Sequence, residues 1–314
     1  MREHVTKGLL LILTIVAGVA CRVDSTSSGN NPAGNNPAAG EGKPSVFVVN
    51  YPLEYFATRI GGELVDVEFP IPPEVDPAFW KPDDASVAQF QQADLILLNG
   101  AGYAKWTQQV SLPESRLVDT ATSFAEKLIH FDNGVVHSHG PDGDHSHQSI
   151  AFTTWLDPQL AILQAEQVHH SLVELLPSNK QTLDSNFQQL KTELEKLDQQ
   201  LDEVASRYQG EPMLASHPVY QYLARRCGWN MKSLHWEPDE VPGAEQWESI
   251  SQLLESHPSK WMLWEAPPKE EIAKKLAGIG VASIVFRPCG NRPTQSYLEV
   301  MTDNIQQLMT IFPG

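Results

Sequence analysis

The sequence predicts an α/β protein with two lobes, each a small and mainly parallel sheet flanked by helices, joined by one long helix. Two series of short apolar runs, each alternating with helical segments, predict the two sheets. A long amphipathic segment without proline separates the two series and predicts the joining helix. The folded body starts near Pro44 and has roughly 270 residues, which is more than a single hydrophobic core usually holds.

The first lobe, residues 44–177, begins with four short runs of high β-propensity. Helical stretches such as EYFATRIGG and ASVAQFQQ separate these runs, and the alternation favours parallel strands joined by helical crossovers. The four runs are SVFVVNY (45–51), VDVEF (65–69), ADLILLNG (93–100) and SRLVDT (115–120).

Residues 178–210 predict the joining helix. Ser178 or Asn179 can cap its start, Gly210 follows its end, and apolar residues recur every three or four positions. At about 1.5 Å per residue the helix would be roughly 45 Å long, enough to contact both lobes and to hold a ligand cleft between them. A coiled-coil arm is the alternative, but the apolar stripe covers only about three heptads. The stripe consists of Leu183, Phe187, Leu190, Leu194, Leu197 and Leu201.

The second lobe, residues 211–314, repeats the pattern of the first. Four further short apolar runs are separated by helical segments, so a second parallel sheet is predicted. The runs are PMLASH (212–217), MKSLHW (231–236), KWMLWEA (260–266) and ASIVFRP (282–288).

The first 43 residues predict export and attachment to a membrane. Residues 1–20 carry Arg2 and Lys7 ahead of a short apolar run, which is typical of a secretory signal and too short to span a membrane. The segment that ends at Cys21 is similar to the lipobox of bacterial lipoproteins, whose cysteine is lipidated, and simple secretion is the alternative. Residues 21–43 are rich in Ser, Asn, Gly and Pro and predict a flexible tether. We expect a periplasmic or cell-surface protein that is anchored to the membrane by its N-terminal lipid.

The charge and the cysteine count exclude two classes of protein. The formal net charge is −17, so the surface repels nucleic acid and favours cations, although the same charge also serves solubility. Apart from Cys21 the chain has Cys227 and Cys289, which could pair but are too few for a disulfide scaffold. We expect a monomer that does not bind nucleic acid.

Residues 137–147, HSHGPDGDHSH, predict a metal-binding loop. The two glycines and the proline between the two H-x-H pairs allow the loop to fold back, so that both pairs can face one ion. Neutral imidazole is a good ligand for zinc, copper and nickel. The loop could collect metal and pass it inward, or it could supply ligands to the cleft itself. The four imidazoles belong to His137, His139, His145 and His147.

Six stretches of the body resemble the substrate-binding proteins of bacterial zinc and manganese ABC importers. The resemblance implies a receptor that holds a divalent metal between two lobes and delivers it to an ABC permease of the inner membrane, without catalytic chemistry. The stretches are YPLEYFATRIGG (51–62), VDPAFWKPD (75–83), QADLILLNGAGYAKW (92–106), TTWLDPQLA (153–161), SHPVYQYLARRCG (216–228) and WEAPPKEEIAKKLA (264–277).

The resemblance implies four metal ligands, of which this sequence keeps one. Ala78 stands at the histidine of a D-P-H motif, Thr153 at the histidine before W-L-D-P, and Arg287 at an acid after the last strand. His217 matches the third ligand, which opens the first helix of the second lobe. Alanine and arginine cannot bind a metal ion, and threonine is a poor ligand. The missing acid also disfavours manganese, which prefers oxygen donors.

Two further candidates follow strands of the second lobe. His235, in the stretch LHWEPDEVP, ends the predicted strand and points toward the same edge as His217, or it packs beside Trp236. Glu265 ends the run KWMLWEA and is either a metal ligand or the group that neutralises Arg287. The predicted ligand set is therefore His217, His235 and Glu265 together with the loop histidines.

The sequence predicts a lipid-anchored receptor that binds zinc as the transported ion, with other divalent transition metals as alternatives. A degenerate binding protein, whose cleft holds an anion or a metal chelate near Arg287, is the second hypothesis. A zinc hydrolase in which Glu265 activates water is disfavoured, because neither an H-E-x-x-H motif nor a nucleophile elbow is present. Four tryptophans near strand ends either close the seam between the lobes or line an organic pocket. They are Trp80, Trp155, Trp236 and Trp264.

Overall fold

The computed structural model of the protein describes residues 42–130, 136–138, 144–146 and 150–312. From Gly42 onward the chain forms one compact unit. The predicted signal segment, Cys21 and the tether up to residue 41 lie outside the described residues, as do His139 and His147. Within the described part of the chain, no helix is long and apolar enough to cross a membrane.

The predicted α/β fold is confirmed, since the body contains two four-stranded parallel sheets. All eight strands fall inside the runs predicted from the sequence. The first sheet consists of β1 (Ser45–Val48), β2 (Asp66–Glu68), β3 (Leu95–Leu98) and β4 (Leu117–Asp119) in the order β2-β1-β3-β4. A separate antiparallel pair, β5 (Val136–Ser138) and β6 (Asp144–Ser146), places His137 opposite His145. The second sheet consists of β7 (Met213–Ala215), β8 (Met231–Ser233), β9 (Trp261–Trp264) and β10 (Ala282–Val285) in the order β10-β9-β7-β8.

Eight α-helices flank the two sheets in the described part of the chain. Several begin at a residue whose side chain caps the first turn; Asn50, for example, accepts a hydrogen bond from the backbone N–H of Leu53 at 3.1 Å. The helices are α1 (Tyr51–Gly61), α2 (Asp84–Gln92), α3 (Pro158–Leu175), α4 (Lys180–Arg207), α5 (Gln221–Cys227), α6 (Ala244–Ser256), α7 (Glu270–Gly278) and α8 (Tyr297–Ile311).

Helix α4 is the long helix that joins the two lobes. All six apolar residues of its predicted stripe are buried, and Val204 extends the stripe by one turn. The helix packs against α1 and α3 of the first lobe and against α5 and α8 of the second. The coiled-coil alternative is therefore wrong, because the apolar stripe is covered within the same chain. Asn179 occupies the N-cap position but makes no capping hydrogen bond through its side chain.

Buried amides connect the carboxyl ends of the first-sheet strands. Asn50, after β1, donates to the side-chain oxygen of Asn99, after β3, at 2.9 Å. Asn99 in turn donates to the backbone oxygen of Phe152 at 2.9 Å. Gln164 of α3 donates to the Asn99 side chain at 3.2 Å and to Thr120, after β4, at 3.1 Å. This network holds the segment that leads from Phe152 into α3.

Replacing Asn99 with alanine should destabilise the protein by about 3 kcal/mol, because several buried amide groups would lose a partner without gaining water. Urea unfolding followed by circular dichroism measures this change. Asn179→Ala is the matched control, and its effect should stay within about 0.5 kcal/mol, since that side chain makes no capping bond. Equal effects of the two substitutions would contradict the role of the network.

Candidate metal site

A cleft of about 490 Å³ lies between the two lobes. The first lobe supplies a largely aromatic wall, in which the ring of Tyr103 makes edge-to-face contacts with Phe152 and Trp155 at 5.2 and 5.7 Å between centroids. Both lobes supply ionisable groups. Of the four tryptophans singled out from the sequence, Trp155 lines this cleft, while Trp236 and Trp264 pack together in the core of the second lobe.

The topology of the second sheet brings four charged or ionisable residues to one edge. Carboxyl ends of parallel strands meet at the same edge, and β7 lies between β9 and β8. His217 follows β7, Glu265 follows β9, and both His235 and Glu237 follow β8. His217 Nδ1 consequently lies 3.4 Å from Glu265 Oε1 and 3.5 Å from Glu237 Oε1. The ring of His235 stands edge-on to that of His217, with 5.5 Å between centroids.

The carboxylates around His217 change its protonation. Burial favours the neutral ring, but the hydrogen bond to Glu265 and the negative charges of Glu265, Glu237 and Asp76 outweigh it. The pKa of His217 is therefore raised above its ordinary value. Without a bound cation the imidazole serves as the positive partner of these acids, and a bound cation would take that place.

Asp76 adds a carboxyl group from the first lobe. Its carboxyl group lies between the lobes, and desolvation by the surrounding protein raises its pKa to about 6; the charges of Glu265 and Glu237 act in the same direction. The backbone N–H of Ala78, which donates to Asp76 Oδ1 at 2.9 Å, opposes the rise. More than a third of the Asp76 surface is nevertheless open to the water of the cleft, which screens part of the effect on stability.

The contribution of Asp76 to the stability of the metal-free protein should fall as the pH rises from about 4 to about 6. A carboxyl group whose pKa is raised on folding keeps its proton in the folded state where the unfolded chain has lost it, so stability falls across this window. His217 contributes to stability with the same sign. Its contribution is fully present at pH values below the pKa of histidine in the unfolded chain, and it is lost as the pH rises through the higher pKa of His217 in the folded protein.

Asp76→Asn isolates the carboxyl contribution, since the amide oxygen can still accept from Ala78. Relative to the unmodified protein, this variant should gain roughly 1 kcal/mol of stability between pH 4 and pH 7, after allowance for screening. Urea unfolding in the presence of EDTA at several pH values measures the difference. If the stability of Asp76→Asn and that of the unmodified protein changed in parallel with pH, the raised pKa of Asp76 would be contradicted.

Hydrogen bonds join the lobes beside the cleft. Thr153, at one expected ligand position, donates through its hydroxyl to the backbone oxygen of Val219 at 2.5 Å. Tyr222 donates through its hydroxyl to the backbone oxygen of Ala151 at 2.8 Å. The Thr153 side chain therefore ties the first lobe to the second, where the resemblance would place a ligand.

Arg287 does not lie where the sequence placed it. Its guanidinium donates to Gln295 Oε1 at 2.9 Å and to Asp303 Oδ2 at 3.2 Å, and it is not among the residues that line the cleft. The prediction that Glu265 neutralises Arg287 is wrong, because Glu265 contacts His217 and Asp303 pairs with the arginine. The hypothesis of an anion or chelate held by Arg287 loses its basis for the same reason.

The two cysteines of the body do not form a disulfide. Cys227 and Cys289 are free and buried, and burial raises the pKa of each thiol to about 12. Both thiols therefore stay protonated near neutral pH, where a thiol is a weak metal ligand.

Three of the predicted ligands meet in the cleft, namely His217, His235 and Glu265. The sequence reasoning missed Glu237 and Asp76 as members of the site. The stretch HWEPDE did place Glu237 two residues after His235, and a strand-end loop can direct both toward one edge. Within the described residues, no three His, Cys, Asp or Glu side chains already converge as metal ligands do. Ion binding would therefore require small movements of these side chains or additional donors.

Comparisons with known proteins agree with this architecture. The model of the family described as "Zinc-uptake complex component A periplasmic" matches residues 46–311. The zinc-binding lipoprotein AdcA of Streptococcus pneumoniae is 23% identical over 287 residues, which cover 87% of this chain but 57% of AdcA. The high-affinity zinc uptake system protein ZnuA of Bacillus subtilis is 24% identical over 308 residues, covering 92% of this chain and 94% of that protein. Other relatives are named as manganese- and iron-binding proteins.

Solved structures show the same fold. The crystal structure of the metal-dependent lipoprotein YcdH from Bacillus subtilis superposes with a TM-score of 0.73 at 21% identity, covering 85% of this chain and 98% of that one. The family model spans both sheets and the long helix between them. The protein therefore belongs to the family described as "Zinc-uptake complex component A periplasmic".

Proposed function

We propose that the protein is the extracytoplasmic substrate-binding component of an ABC importer for a divalent transition metal, and that the ion is zinc. The observation that carries the proposal is the position of His217 between Glu265 and Glu237 at the edge of the second sheet. A cation placed there meets a nitrogen donor and two carboxylates in a cleft that solvent can enter. Family membership supports the same function.

The distances around His217 are suitable for a metal ion. With ligand bonds of about 2.1 Å, neighbouring donors of a tetrahedral site are roughly 3.4 Å apart. The separations of 3.4 and 3.5 Å between Nδ1 and the two carboxylate oxygens are close to this value. They are also longer than most strong charged hydrogen bonds, so an ion could replace the proton with little movement of the imidazole.

The choice of ion rests on the donor types. The sequence argument against manganese assumed that acidic ligands were missing, but Asp76 lines the cleft and Glu237 lies beside His217, so both offer oxygen donors. Zinc remains the proposed ion because two imidazoles, those of His217 and His235, lie together at the site. A purely oxygen-lined site would favour manganese, calcium or magnesium instead.

The remaining parts of the chain complete the proposed receptor. We propose that the stretch 137–147 collects zinc ahead of the cleft, that Cys21 carries the lipid anchor, and that an ABC permease receives the ion. The antiparallel pairing of β5 and β6, which sets His137 opposite His145, supports a shared role for the two H-x-H pairs. The acidic net charge of −17 favours the approach of cations.

Titration of the metal-free protein with zinc and with manganese, against a chromophoric chelator, tests the function. We expect saturable binding with a Kd for zinc below about 1 μM and weaker binding of manganese. Replacing His137, His139, His145 and His147 with asparagine should remove additional zinc and leave the cleft site. Loss of the cleft site in that variant would mean that the stretch supplies ligands directly. Absence of saturable binding by either ion would refute the proposal.

A further inference from the structure

Most of the donors proposed for the metal lie on one side of the cleft. His217, Glu237 and Glu265 all follow strands of the second sheet. Among the described residues of the first lobe, no histidine or cysteine lines the cleft. The Thr153 hydroxyl is engaged with Val219 of the second lobe. On its first-lobe side, an ion bound beside His217 would meet the Asp76 carboxyl group and an aromatic wall, and that wall cannot fill a coordination position.

The cleft is much larger than an ion needs. A zinc ion that completes its coordination with three waters requires on the order of 100 Å³, at about 30 Å³ for each water. The cleft has about 490 Å³, which falls in the range of pockets that hold small organic molecules. Tyr103, Phe152 and Trp155 form a wall with little capacity to order water. An organic group would cover that wall better than water does.

The polar groups of the cleft define the charge of such a molecule. Asp76 and Glu74 place carboxyl groups on the first-lobe side, where they can accept hydrogen bonds from an amine. Together with Glu237 and Glu265 these groups make the cleft acidic, which repels chelators that carry several negative charges.

We propose that the cleft takes the metal as a complex with a small chelator of the amino-acid type, whose amine and carboxylate fill the coordination positions that face the first lobe. The inference rests on the proposed metal function and adds the chemical class of the second ligand. His217, Glu237 and Glu265 bind the ion, Asp76 accepts from the chelator's amine, and the aromatic wall packs against its side chain. A singly negative chelator leaves the zinc complex with a net positive charge that suits this cleft.

Equilibrium dialysis with radiolabelled L-histidine or glycyl-L-histidine, with and without zinc, tests the inference on the unmodified protein. We expect one labelled molecule to be retained per protein, together with one zinc ion in the cleft, and no retention without zinc. Labelled citrate should not be retained under the same conditions, because its charge is opposed by the acidic groups of the cleft. In every arm the unmodified protein is compared with the variant that lacks the four loop histidines, so that zinc bound by those histidines can be subtracted.

Gly290→Val provides a second measurement. A Cβ atom at Gly290 would lie 3.6 Å from both the Trp155 ring and the Tyr103 hydroxyl, so a larger side chain would occupy the cleft beside the aromatic wall. We expect this variant to bind zinc alone as before and to retain the labelled chelator at least about 10-fold more weakly.

The outcomes separate the inference from the function on which it rests. Zinc retained without either chelator, with the chelators acting only as competing buffers, would overturn the inference and leave zinc binding intact. Retention of neither zinc nor chelator would overturn the proposed function itself. Retention of labelled histidine without zinc would show a site for the free amino acid and would also overturn the inference.

Discussion

His217→Ala is expected to weaken the binding of zinc in the cleft by about 100-fold or more. Removing a residue that only orients a metal ligand typically lowers the metal affinity 10- to 100-fold. Loss of the ligand itself should lower the affinity by at least 100-fold. His217 is the donor that lies between the two carboxylates, 3.4 Å from Glu265 and 3.5 Å from Glu237. Without the imidazole, those acids would also repel each other more strongly when no metal is bound.

The measurement is competition with a chromophoric zinc chelator at pH 7.5, in the variant that lacks the four loop histidines. His170→Ala is the matched control, because that exposed histidine of α3 is not among the residues that line the cleft. The zinc affinity of Glu265→Gln should lie between those of His217→Ala and His170→Ala, because this substitution preserves the shape of the side chain and removes its charge. An unchanged zinc affinity in His217→Ala would place the metal elsewhere and would contradict the proposed site.

Trp155→Ala is expected to destabilise the protein by about 4 kcal/mol. The side chain is 1% exposed and lies where the two lobes meet the cleft. Its indole N–H donates to the backbone oxygen of Pro288 at 2.7 Å, and its own backbone oxygen accepts from the hydroxyl of Tyr297 at 2.7 Å. Truncation would remove buried apolar area, leave a cavity and break a bond between the lobes.

Trp155→Phe is the matched control for this prediction. It retains most of the apolar volume and loses the indole N–H, so we expect a cost of about 1–2 kcal/mol. Urea unfolding with circular dichroism and intrinsic fluorescence measures both variants. A cost below about 1 kcal/mol for the alanine variant would show that Trp155 does not join the lobes. Coincident transitions by the two probes would confirm that the body unfolds as one unit.

The hydrogen bonds between the lobes bear on how a ligand enters. Thr153 bonds to Val219, and Tyr222 to Ala151, on the border of the cleft itself. Helix α4 packs against helices of both lobes along its whole buried stripe. Small rocking movements are more compatible with these contacts than a wide hinge opening, since a wide opening would break several buried bonds at once.

The strands and the joining helix could be predicted because local patterns specify them. Each of the eight strands of the two parallel sheets falls within an apolar run, and the stripe from Leu183 to Leu201 is buried as its spacing indicates. His217, His235 and Glu265 could also be predicted as neighbours, because parallel strands direct their carboxyl ends to one edge. These inferences require only periodicity and topology.

The contacts of individual side chains could not be predicted in this way. Arg287 aligns with a ligand position, yet its side chain turns to Asp303 of α8, and this depends on how α8 packs. Glu237 becomes a neighbour of His217 because β8 pairs directly with β7. Asp76 reaches the same cluster from a loop of the other lobe, about 140 residues away in the chain.

By itself, the sequence determined the α/β class, the two sheets, the helix between them and the edge at which His217, His235 and Glu265 lie. Only the tertiary structure decided which charges face one another, since strand order and lobe packing bring together residues that are distant in the chain. It paired Glu265 with His217 rather than with Arg287, placed Glu237 beside His217, and added Asp76 to the cleft. The physical reason is that hydrophobic periodicity acts along the chain, whereas electrostatic contacts depend on distances in three dimensions.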